Sequence, residues 1–167
     1  PGSTTGDGEW SDASIWSNNC SPDYDYNRNT TIVINHDVTV ASDMTIGNNT
    51  TVRVADGGSL TFDPGLELAV KGTFIVEDNG YAFVDGELDV NGGATLEVEG
   101  SNGELEISGD GKLTGNGGVT VGGTFTSGGN VDIGGTGDFD LLSGGNLDIG
   151  QDASLIGTGA IAMDAGS

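Results

Sequence analysis

GGNVDIGGTGDFDLLSGGNLDIG (128–150) states three times what most of this chain repeats: two apolar residues flanking one other residue, then a glycine- or asparagine-rich turn. Residues two apart on an extended strand share a face. Val131 with Ile133, Phe139 with Leu141, and Leu147 with Ile149 therefore each give a very short strand with one apolar side. Towards the N-terminus the same phrase recurs as VTV (38–40), MTI (44–46), VRV (52–54), LTF (60–62), LEL (66–68), FIV (74–76), LDV (88–90), LEV (96–98), LEI (105–107) and VTV (119–121). One such strand buries too little to be stable. Many of them stacked at a fixed period bury a continuous core, and that repetition is the mark of a β-solenoid.

The period follows from the strand starts. Val38, Met44 and Val52 are succeeded by Leu60, Leu68 and Phe74, so three strands make one turn of about 22 residues. Later turns fit with small insertions: Leu88 and Leu96; Leu105, Leu113 and Val119; Phe125, Val131 and Phe139; Leu147, Leu155 and Ile161. The expectation is an all-β chain, a right-handed parallel β-helix of triangular section with about six turns over residues 38–167. At ~4.8 Å per rung the turns stack to about 29 Å. Residues 1–37 break the beat and form a separate N-terminal cap segment.

Composition excludes other classes. Glycine supplies 32 of 167 residues, which is costly inside helices and useful in turns. A glycine-rich chain with few aromatics can also be disordered, but disorder has no need of a sustained apolar beat. Asp and Glu number 26 against 4 Lys and Arg, for a net charge of −22. Such a chain repels phosphate backbones and anionic lipid, so neither nucleic-acid binding nor membrane insertion is expected. No run of 18 apolar residues suggests a spanning helix. Cys20 is the single cysteine, which rules out an internal disulfide; it reads as a buried thiol, with pairing between chains as the alternative.

So many like charges need an arrangement. In the register above, the central residues of one face read Thr39, Thr61, then Glu106, Thr126 and Asp148; the next has Asp89, Thr114 and Asp132; the third has Glu97, Thr120 and Asp140. Carboxylate and threonine alternate up each face in the later turns. Two charges one rung apart, at about 5 Å, repel by about 0.8 kcal/mol in water. Skipping a rung roughly doubles the separation, to about a Debye length at physiological salt.

The first 37 residues hold Trp10, Trp16, Tyr24 and Tyr26, spaced to cover the open end of a solenoid; a sugar-stacking platform is the other reading of the tryptophans. GEWSDASIWSNNCSPDYDYNRNTTIVINHDVTV (8–40) carries Trp10, Asp12, Trp16, Pro22, Ile34, Val38 and Val40 in an order that resembles the opening of large secreted bacterial surface proteins and of G8-like β-solenoid modules. The resemblance covers about a fifth of the chain, with an unusual Cys20 segment and a long insert at residues 23–26. It implies an extracellular, cell-surface adhesin or scaffold, with a carbohydrate-linked role in some relatives, and it carries over no catalytic residue.

Candidate chemistry is sparse. GGTGDFDLL (134–142) is close to the nonapeptide calcium repeat, but Asp138 and Asp140 fall either side of the position that motif needs, and it occurs once. Asp7, Asp23 and Asp25 are a second set that could converge on a cation. Polysaccharide lyases and hydrolases on β-helices need carboxylates with a nearby cation on one face. Arg28, Arg53, Lys71 and Lys112 are instead scattered. His36, the single histidine, leads into a strand and suits a structural hydrogen bond. An ice-ordering face would repeat Thr-x-Thr on every rung, whereas no side is expected to keep threonine through more than two successive turns, because Asp or Glu intervenes. Asn29, Asn48 and Asn49 open N-x-T strings and read as turn residues.

The beat runs on through GAIAMDAGS (159–167) with no aromatic or charged cap, so further modules or other copies are expected to stack at this end. The functional expectation is a non-catalytic structural or adhesive segment, with no catalytic, cofactor-binding or metal residue assigned and calcium the one cofactor considered. Its alternative is a carbohydrate-binding or polysaccharide-degrading module contacting surface glycans. The charge pattern makes one prediction directly: the melting temperature falls as ionic strength is lowered, and a flat salt response in calorimetry contradicts the proposed charge spacing.

Overall fold

The computed structural model describes residues 2–109, 111–150, 154–158 and 160–164. Its strands form three parallel sheets of seven strands each, and every strand pairs with the strands three places before and after it in the chain. The first sheet stacks Gly8–Glu9, Asp37–Val40, Ser59–Phe62, Tyr81–Val84, Glu104–Ile107, Thr124–Ser127 and Asn146–Ile149. The second stacks Asp25–Tyr26, Met44–Ile46, Glu67–Val70, Glu87–Val90, Lys112–Gly115, Val131–Ile133 and Leu155–Gly157. The third stacks Thr30–Ile34, Thr50–Val54, Thr73–Val76, Thr95–Val98, Gly118–Val121, Asp138–Leu141 and Ala160–Met163. This is a β-solenoid of about six turns at about 22 residues each, with no α-helix among the described residues.

The register agrees with the sequence reading at every strand start named above. Val38 lies against Leu60, Met44 against Leu68 and Val52 against Phe74. Five turns later, Leu147, Leu155 and Ile161 lie against Phe125, Val131 and Phe139. Alternation drives this: in Thr95–Val98, Leu96 and Val98 are buried while Thr95 and Glu97 face outward. Phe62, Phe74, Phe125 and Phe139 are at most 1% exposed, and the rings of Phe125 and Phe139 lie 6.1 Å apart across the shaft. Each buried Val, Leu, Ile or Phe contributes about 1.5–3 kcal/mol.

Two features depart from expectation. The ladder begins before Val38, because Gly8–Glu9, Asp25–Tyr26 and Thr30–Ile34 pair with the strands at Asp37–Val40, Met44–Ile46 and Thr50–Val54. Trp10 and Trp16 are buried in this first rung in edge-to-face contact, with centroids 5.1 Å apart. The indole of Trp10 donates to the Pro22 carbonyl at 2.9 Å and that of Trp16 to the Trp10 carbonyl at 3.0 Å. Fully buried indoles leave no ring face for a sugar. The second departure is Tyr81–Val84, a strand absent from the apolar phrases. There Ala82 and Val84 face the core while the larger Tyr81 and Phe83 face outward, so the size pattern is inverted.

Tight rung stacking explains where glycine is obligatory. A Cβ on Gly129 would lie 1.5 Å from the Gly111 carbonyl oxygen of the rung below, and one on Gly115, at φ +131°, 2.0 Å from the Val90 oxygen. We expect Phe125→Ala to cost about 3–5 kcal/mol, whereas Thr126→Ala, one residue along on the outer face, changes stability by less than about 0.5 kcal/mol. Urea unfolding of the two variants checks this.

Candidate functional site

A site on such a rod must be assembled from outward positions and corners. The central columns alternate as the sequence indicates: Glu97–Thr120–Asp140, Asp89–Thr114–Asp132 and Glu106–Thr126–Asp148 occupy successive rungs. The flanking column of the second sheet does not alternate. Glu67 lies directly against Glu87, and Lys112 follows on the next rung. Lys112 Nζ is 2.9 Å from Glu87 Oε2, and the Thr114 hydroxyl donates to Glu87 Oε1 at 2.9 Å. The hydrogen bond from Lys112 holds the Glu87 carboxyl below its ordinary pKa, Thr114 adds to this, and partial burial opposes it.

Threonine shows a pattern that the central positions conceal. Thr31, Thr51, Thr73 and Thr95 form one column over four successive turns of the third sheet, which corrects the expectation of two at most. The neighbouring column reads Val33, Arg53, Ile75 and Glu97, so Thr-x-Thr is still not repeated.

The corners between the third and first sheets differ in length, and that difference makes a recess. Five residues (99–103) connect Thr95–Val98 to the next strand, two (122–123) connect Gly118–Val121, and four (142–145) connect Asp138–Leu141. The short corner between two long ones leaves a notch of about 470 Å³. Its floor is Thr120 and Gly122, and its walls are Glu97, Glu99, Gly100 and the exposed Leu142.

The face of the first sheet holds the other distinctive group. Its outward pairs run Asp37/Thr39, Ser59/Thr61, Tyr81/Phe83, Glu104/Glu106, Thr124/Thr126 and Asn146/Asp148. Tyr81 Oη donates to Glu106 Oε2 at 2.9 Å. Burial, then this hydrogen bond to a carboxylate, pushes the Tyr81 phenol well above its ordinary pKa, so it remains a donor.

The residues singled out in the sequence are placed apart. Asp7 accepts the Asp37 amide at 3.1 Å beside the first sheet, whereas Asp25 lies on the second and Asp23 precedes it. Asp138 and Asp140 lie on one strand of the third sheet. Among the described residues, no group of three or more His, Cys, Asp or Glu is close enough to hold a metal ion. Arg53 Nε donates to Glu77 Oε1 at 2.6 Å, Arg28 lies 5.9 Å from the Tyr26 ring centre, and Lys71 occupies a corner. His36 Nδ1 is 3.3 Å from the Thr4 hydroxyl, the structural bond its position suggested. Cys20 is exposed rather than buried, because it lies in the irregular stretch between Trp16 and Asp25–Tyr26, outside the stacked strands. Sequence reasoning missed both the notch and the Tyr81/Phe83 pair. The signal for the pair was two aromatics at spacing two in YAFV (81–84).

Compared with protein-family models, curated proteins and solved structures, the chain matches none. No helix among the described residues is long and apolar enough to cross a membrane.

The Glu87–Lys112 pair yields a pH prediction. A carboxylate whose folded pKa is depressed contributes stability above its unfolded value, near 4.5, and loses it as pH falls through the folded value. Lys112→Met therefore lowers stability by about 0.2–1 kcal/mol at pH 7, a small amount because both side chains are partly exposed and solvent-screened. The difference from the parent chain vanishes towards pH 3. Urea unfolding at the two pH values measures it.

Proposed function

We propose that this chain is a non-catalytic structural or adhesive β-solenoid segment of an extracellular, cell-surface protein, of the secreted bacterial type that residues 8–40 resemble. The observation carrying the reading is the unbroken ladder: three parallel sheets run rung on rung over one apolar shaft, which makes a rod with three long faces. A highly acidic surface, with 26 carboxylates in the sequence against 4 cations, favours solubility at the cell exterior. We read Trp10 and Trp16 as the cap of the first coil.

Further coils, from additional modules or other copies, are proposed to stack at the opposite end. Ile161 and Met163 stand in register with the buried Phe139 and Leu141, yet are 45% and 72% exposed. A covered position is the ordinary state of such side chains in this rod. Carbohydrate binding is the second reading, favoured by one observation, the Tyr81/Phe83 pair on a sheet face.

Two measurements test the principal reading. Incubated with neutral and acidic polysaccharides, with and without calcium, the chain releases neither reducing ends nor unsaturated products; release of either overturns the non-catalytic assignment. Antibody raised against the chain labels intact cells of the producing organism, and labelling only after lysis overturns the surface assignment.

A further inference from the structure

On the first sheet, outward positions are polar on every strand from Asp37–Val40 to Asn146–Ile149 except one. Tyr81 and Phe83 replace the Ser/Thr/Asp/Asn/Glu pattern of their neighbours, on a face whose outward positions include no Lys or Arg. Glu104 stands directly against Tyr81, and Glu106 against Phe83. The Tyr81 hydroxyl reaches Glu106, one rung up and one column across. That diagonal is about 8 Å between backbones, within reach of an aromatic and a long side chain. Tyr81 is half-buried, so part of its side chain stays open to solvent while its hydroxyl is held by Glu106. Its hydrogen bond fixes the ring before any ligand arrives, which lowers the ordering cost of binding.

We infer that this patch binds a neutral polysaccharide, the Tyr81 and Phe83 rings stacking on sugar C–H faces while Glu104 and Glu106 accept hydrogen bonds from sugar hydroxyls. The assignment rests on the adhesive reading above and names the ligand class. Glu104 is exposed and its carboxylate makes no hydrogen bond among the described residues, so both carboxylate oxygens are available. Glu106 engages Tyr81 through Oε2, leaving Oε1 as an acceptor. Ionised carboxylates only accept, and a saccharide rim is rich in donors. A ligand with an apolar face and a hydroxyl rim fits both halves of the patch. Anionic glycans are disfavoured by the absence of any cation on this face. A basic protein segment would find carboxylates on all three faces and would need no rings. What distinguishes this rung is the aromatic pair.

The test uses the whole chain in affinity electrophoresis through gels containing cellulose derivatives, xylan, mannan, mixed-linkage β-glucan or starch, with poly-lysine binding as a cationic control. At least one neutral polysaccharide retards the parent chain, and retardation is nearly unchanged between low and high salt, because stacking and hydrogen bonding involve no counterion release. Tyr81→Ala and Phe83→Ser, which alter outward positions, each weaken binding by about tenfold while melting within a few degrees of the parent. Tyr81→Phe, which unpins the ring and keeps its stacking surface, loses less. Retention undiminished in both folded variants overturns the site, as does binding confined to poly-lysine and abolished by salt. Adherence to cells that persists in Tyr81→Ala overturns this site and leaves the adhesive reading standing, whereas failure of the parent chain to bind any polysaccharide or cell overturns both.

Discussion

Parallel pairing of each strand with the one a full turn away is the constraint from which the rest of the molecule follows. Backbone donors and acceptors are satisfied between coils rather than within them, so no coil is stable without its neighbours. The same pairing aligns inward side chains in files. Val38, Leu60, Ala82, Leu105, Phe125 and Leu147 form one such file, and its members vary in bulk while all but the half-buried Leu147 are buried. Files also touch across the shaft, where the Phe125 and Phe139 rings lie 6.1 Å apart. Glycine is demanded where corner backbone passes close to the coil beneath, as at Gly129.

That constraint also organises charge. Stacking in register sets every outward side chain about 5 Å from its counterpart above and below, which turns sequence repeats into columns of like groups. Thr120 and Thr114 interrupt carboxylate columns, and Lys112 terminates the acidic step from Glu67 to Glu87. Arg53 answers Glu77 at a corner. With so few cations, spacing by threonine is the more general of the two devices, and ion pairs are reserved for places where spacing fails.

Most of the fold was legible because the apolar period of two is a local signal that each phrase repeats. Legibility failed where side-chain size and direction parted company. Ala82 is a weak inward marker and Phe83 a strong outward one, so the strand at Tyr81–Val84 went unread although its neighbours on either side were recognised. The Thr31–Thr95 column was hidden for a different reason: its members flank the phrases instead of centring them. In the first rung, irregular links around the 3-10 turn at Ala13–Ile15 separate very short strands, and no beat survives there. The notch depends on the relative lengths of three corners a turn apart, and the Tyr81–Glu106 bond joins residues 25 positions apart. Neither can be read before the register is known.

Corners of two, four and five residues follow one another along a single edge without disturbing the strands they join. Perimeter and pitch are thus decoupled in this molecule. Lengthening a corner moves chain sideways into solvent and leaves the axial repeat untouched, so the edges can accept foreign segments or drift in composition while the shaft keeps its gauge. A scaffold of this sort can diversify its outline far faster than its interior, and similarity to distant kin would be retained as a rhythm long after the letters had changed.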